Sequence, residues 1–139
     1  MKKHLFGTAL LMCLVVISGV ASAQITNIGD IQVYDAITGA PNSPFLGQTV
    51  TVSGALTVLK GTYNGGTYYL QDATGGMTFF DSAAGPFSLG DIIEVTGTVS
   101  YYSGEIQLST PSAVFISSGT PVAATNVDLS ALNYENVGM

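Results

Sequence analysis

The side chains able to do chemistry in this chain of 139 residues are nine Asp and Glu, seven Tyr, three basic residues, one His and one Cys. The histidine and the cysteine, His4 and Cys13, both fall in an opening that reads as a signal peptide over residues 1–23. Lys2 and Lys3 precede the apolar stretch Leu10 to Val16, and Ala21-Ser22-Ala23 has the small-residue pattern that a signal peptidase prefers. Gly7, Thr8, Ser18 and Gly19 bracket that stretch, leaving it short of the roughly 20 apolar residues a membrane-spanning helix needs. Cys13 follows Leu10-Leu11-Met12, where lipid attachment would require a small residue. The expectation is a secreted or periplasmic chain that has no membrane contact once the signal is cut, and no disulfides.

From residue 24 onward there is no His, Cys, Arg or Trp, and Lys60 faces all nine acids, a net charge of about −8. That inventory excludes a Ser/His or Cys/His nucleophile, an imidazole base and a zinc site built on nitrogen and sulfur. A glycosidase needs only two carboxylates, but Asp30, Asp35, Asp72, Asp81, Asp91, Glu94, Glu105, Asp128 and Glu135 are scattered singly. No enzyme, cofactor or metal is expected. Asp72, before Ala73-Thr74-Gly75, and Asp91, after Leu89-Gly90, read as turn residues whose carboxylates accept backbone amides. A calcium site from Asp72 and Asp81 is the weaker alternative, since calcium takes six or more oxygens.

The elements that must carry these side chains are strands. Val50, Val52, Gly54, Leu56 and Val58 share one parity, with Thr and Ser on the other, which predicts a long strand with one buried face. Lys60 to Gly66 breaks it, residues 67–71 start a second strand, and Asp72 to Gly76 reads as a hairpin turn into a third over 77–81. Residues 82–90 form a loop around Gly85 and Pro86. A fourth strand runs over 91–101, burying Ile93, Val95, Gly97 and Val99. Tyr102-Ser103-Gly104 turns the chain into a fifth over 105–108, which breaks near Pro111 and resumes at 113–116. Five such strands suit a small closed barrel over residues 47–118. Residues 24–46 are an N-terminal extension whose apolar Ile25, Ile28, Ile31 and Val33 are consistent with a strand or a packed segment, and 119–139 a linker-like tail in which Asp128 could cap one helical turn.

Gly47-Gln-Thr-Val-Thr-Val-Ser-Gly54, Tyr68-Tyr-Leu-Gln-Asp-Ala-Thr-Gly-Gly76, Leu89-Gly-Asp-Ile-Ile-Glu-Val-Thr-Gly-Thr-Val99 and Glu105-Ile-Gln-Leu108 together resemble the OB-fold modules of bacterial extracellular nucleases. The likeness runs over roughly residues 28 to 116. It implies an all-β, five-stranded Greek-key barrel of the OB type, acting as a nucleic-acid-binding accessory domain ahead of a separate catalytic domain. The closing Leu132 to Met139 is similar to the start of a segment that leads relatives into further β structure, which implies either a fragment of a longer protein with a downstream catalytic domain or a natural truncation.

OB barrels bind on the outer face of strands two and three, framed by the loops joining strands one to two and four to five. Alternation turns Tyr69 and Gln71 outward from the second strand, and Thr78 and Phe80 outward from the third. The framing loops add Lys60, Tyr63 and Asn64 on one side and Tyr102 on the other. Aromatic faces at Tyr69, Phe80, Tyr63 and Tyr102 would stack on bases, while Gln71 and Asn64 would bond base edges. With Lys60 the one cation, binding of single-stranded nucleic acid is expected to be weak. A neutral glycan meets no such charge objection, and a scaffold role requires only that the pairs Tyr68-Tyr69, Phe79-Phe80 and Tyr101-Tyr102 each put one ring in the core.

Overall fold

The computed structural model describes residues 24–63, 65–124 and 126. The expected signal peptide, Asn64 and the expected helical turn at Asp128 lie outside the described residues. The described residues fold as one short helix, α1 (Ile28–Ile31), and five strands: β1 (Thr49–Val58), β2 (Thr67–Gln71), β3 (Gly76–Phe80), β4 (Ile92–Tyr102) and β5 (Glu105–Ser117). The strands close into a barrel in the order β1-β2-β3-β5-β4. All neighbours are antiparallel except β3 and β5, which run parallel through Thr78↔Gln107 and Phe79↔Leu108. Among the described residues no helix is long and apolar enough to cross a membrane.

Period-two alternation fills the barrel as expected. Val52, Leu56, Tyr68, Leu70, Met77, Phe79, Ile93, Val95, Val99, Ile106 and Leu108 are buried together, and the Tyr68 and Phe79 rings stack at 5.0 Å between centroids. β1 serves two partners, pairing with β4 over Thr49 to Ala55 and with β2 from Ala55 onward. The strands cross closely at that switch. A side chain at Gly54 would lie 2.6 Å from the carbonyl oxygen of Gln71, so only glycine fits there.

One expectation is corrected. β5 does not break at Pro111 but continues to Ser117 as one strand. The pairing slips between Thr96 and Thr98, so Thr110 and Pro111 together oppose Gly97. Thr110 takes a left-handed φ of 46°, and the bulge absorbs a proline that a regular ladder would reject.

The N-terminal extension packs into the core. Ile28 and Ile31 are wholly buried and Tyr34 nearly so, and together they plug the end of the barrel beside the β2–β3 turn. Hydrogen bonds fix this plug. The Ile28 amide donates to Asp72 Oδ2 at 2.8 Å and the Gly29 amide to Thr74 Oγ1 at 2.8 Å. Gln32 Nε2 donates to the Ile106 carbonyl at 2.8 Å, the Ile106 amide donates to Tyr34 Oη at 2.8 Å, and Tyr34 Oη donates to Gln32 Oε1 at 3.2 Å. Ile106 precedes the residues of β5 that pair with β3. Two side chains from the extension thus satisfy the backbone groups of Ile106.

Candidate functional site

Tyr69 and Thr78 face each other in the β2–β3 register, and Thr67 and Phe80 form the pair beyond them. Their side chains leave the barrel on the side toward the β4–β5 turn, which Ser103 and Gly104 make possible with φ values of 50° and 94°. Between these elements lies a cleft of two adjoining grooves. One, of about 690 Å³, is lined by Tyr69, Thr78, Phe80, Tyr102, Glu105 and Gln107, among others. The second, of about 460 Å³, shares Tyr69, Thr78, Ser103 and Glu105 and has Gln32 and Tyr34 of the extension among its lining residues. Both volumes fall in the range that holds a small ligand.

The cleft gathers most of the expected aromatics. Phe80 is 55 % exposed and Tyr102 68 %, so both rings present faces to solvent. Tyr63, 76 % exposed, leans edge-on against Tyr69 with centroids 6.1 Å apart at 78°, extending the aromatic surface past the rim. Tyr69 itself is half-buried. Gln71 points outward but sits at the far end of β2, opposite Gly76, and lines neither groove.

Lys60 lines neither groove. Its Nζ donates to the carbonyls of Ser82 at 2.9 Å and Ala84 at 2.6 Å and lies 5.7 Å from the centre of the Tyr68 ring. The Tyr68 hydroxyl donates to the same Ala84 carbonyl at 2.9 Å. The lysine therefore ties the β1–β2 loop to the β3–β4 loop, and its charge is taken up by carbonyl dipoles and a ring face.

In its place the cleft carries Glu105, which the sequence reading did not select. Thr78 Oγ1 donates to Glu105 Oε2 at 3.4 Å, a long bond that leaves the carboxylate most of its accepting capacity. Burial raises the pKa of the Tyr69 hydroxyl, and the Glu105 charge adds to the rise. Tyr34 is raised as well, by burial first, with the Ile106 amide opposing and Glu105 reinforcing. Both phenols stay neutral donors at ordinary pH. Glu105 was findable: with Ile106 and Leu108 inward, alternation turns Glu105 and Gln107 outward. Gln32 and Tyr34 carried no such sign, since they come from a segment without strand periodicity.

Most aspartates do backbone work instead. Asp72 Oδ1 accepts the amides of Thr74 and Gly75, Asp81 Oδ1 those of Ala83 and Ala84, Asp35 Oδ1 those of Ile37 and Thr38, and Asp91 Oδ2 that of Ser88. Asp72 and Asp81 flank opposite ends of β3, so the calcium pairing considered from sequence does not assemble. Among the described residues no group of three His, Cys, Asp or Glu is placed to hold a metal ion.

No family model, no curated protein and no solved structure matches the chain.

Proposed function

We propose that this protein is a secreted, non-catalytic binding module of the OB type, and that its cleft takes single-stranded nucleic acid as an accessory domain of a nuclease-like protein would. The strand order β1-β2-β3-β5-β4, with only β3 and β5 parallel, supports the fold assignment. The observation that carries the function is the row of aromatic faces, Tyr69, Phe80 and Tyr102, along a cleft on the outer face of β2 and β3, with Tyr63 packed against Tyr69 beyond its rim. Each such face stacks on a base for about 1–3 kcal/mol. With Lys60 bound to loop carbonyls, phosphate contacts contribute little and affinity is low.

One observation favours a second reading, a neutral oligosaccharide. Among the residues lining the two grooves the charged group is an acid, Glu105, whose oxygens would accept sugar hydroxyls while the aromatic faces stack on the rings.

Fluorescence anisotropy with a labelled single-stranded oligonucleotide at low salt, with and without magnesium, tests the first reading. Saturable binding is expected, lost in the Tyr69→Ala/Phe80→Ala double variant at an almost unchanged melting temperature. No binding at high micromolar protein, together with retardation on a glycan affinity gel, would replace the first reading by the second.

A further inference from the structure

Glu105 sits where a bound strand would have to pass, being shared by both grooves together with Tyr69 and Thr78. No lysine or arginine lines either groove, and the one lysine among the described residues, Lys60, is held by Ser82 and Ala84. A carboxylate only accepts hydrogen bonds and repels phosphate. A nucleic-acid strand can therefore lie in this cleft in one orientation, with bases inward on the aromatic faces and phosphates toward solvent. Glu105 then meets a base edge.

Resting on the nucleic-acid reading above, we propose that Glu105 reads guanine, making the cleft selective for guanine-containing single strands. The Watson–Crick edge of guanine presents two adjacent donors, N1–H and the N2 amino group, which match the two oxygens of one carboxylate. Adenine and cytosine place a single amino donor beside an acceptor nitrogen, and thymine sets one N–H between two carbonyls. Each of these puts a lone pair against Glu105. The Thr78 hydroxyl, 3.4 Å from Oε2, steadies the carboxylate without saturating it. Tyr69, the register partner of Thr78, supplies the stacking face beside it. A two-bond contact of this kind discriminates bases by about tenfold or more.

The test compares two labelled oligonucleotides of equal length, one alternating thymidine with deoxyguanosine and one alternating thymidine with deoxyinosine, which lacks only the N2 amino group. The protein is expected to bind the guanine strand about tenfold more tightly, and Glu105→Gln to bring the two within twofold while its melting temperature stays near that of the parent. Equal affinity of the unmodified protein for both strands, with saturation, would overturn the role of Glu105 and leave the nucleic-acid reading standing. Failure of both strands to saturate would remove the nucleic-acid reading and this inference with it. The inosine comparison is made on the unaltered protein, so the outcome does not depend on the variant folding.

Discussion

Where β2 turns into β3, Ile28 and Ile31 are wholly buried and Gln32 and Tyr34 bond the start of β5, whereas where β5 finishes, Val114, Phe115 and Ile116 stand about half in solvent. Both stretches are apolar in sequence, and what separates them is pattern. At the start of β5, Ile106 and Leu108 alternate with Gln107 and Ser109, so one face carries the apolar set inward. At its end three apolar residues follow one another and cannot share a face. The pairing also slips there, Ile92 opposing Ser117 and Ile93 opposing Phe115, which leaves Ile116 without an opposite residue. Apolar character alone did not decide burial; alternation and an added plug did.

The contrast can be broken most directly by truncation. Ile31→Ala should cost about 2–5 kcal/mol, as deletion of a fully buried side chain does, read from denaturant midpoints. Ile116→Ala in the same assay should cost a small fraction of that, and equal losses would erase the difference between the two ends. Next in size is Tyr34→Phe, which removes the acceptor of the Ile106 amide and the donor to Gln32; leaving buried groups unpaired costs about 1–3 kcal/mol. Tyr101→Phe, on an exposed ring, serves as the neutral comparison.

A smaller effect is expected at Asp72. Burial pushes its carboxyl upward, but hydrogen bonds from Ile28, Thr74 and Gly75 outweigh that and hold its pKa below the ordinary 3.8. A depressed carboxyl contributes stability that is complete above its unfolded-state value and fades as the pH falls through the lower folded-state value. Asp72→Asn should therefore lose about 1 kcal/mol at neutral pH, and its stability should fall less than the parent's as acid is added past that value. Parallel acid curves would show that Asp72 does not hold the plug. The least effect is expected from Val114→Thr, within about 0.5 kcal/mol either way, as at ordinary surface positions.

Much of the barrel was legible because strand alternation is a local signal. The inward set of β1, β2 and β4, the outward turn of Tyr69 and Phe80, and the β2–β3 turn at Asp72 all follow from neighbours within a few residues. The plug was legible only in part: the apolar positions Ile28 and Ile31 suggest packing, but a helix of four residues is too short to show a period, and the partners that fix it are distant in sequence. Lys60 falls by sequence on a loop framing the cleft, but the carbonyls that hold it belong to a loop over twenty residues away, which no local signal announces. Pro111 was read as a break because a proline removes a ladder donor, and nothing local announced that a bulge opposite Gly97 would take it in.

The stitch between Tyr34 and Ile106 also sets an order of events. These residues are 72 positions apart, so the segment of the described chain that a ribosome makes first is among the last to find its place. Until β5 has arrived, the amide that Tyr34 accepts from has no fixed position, and Ile28 and Ile31 have an incomplete barrel to enter. Contacts of such separation slow folding, because the intervening loop must close before they can form. A chain lacking its last strand would hold an unplugged, open sheet, committed to its final shape only when the whole barrel is present.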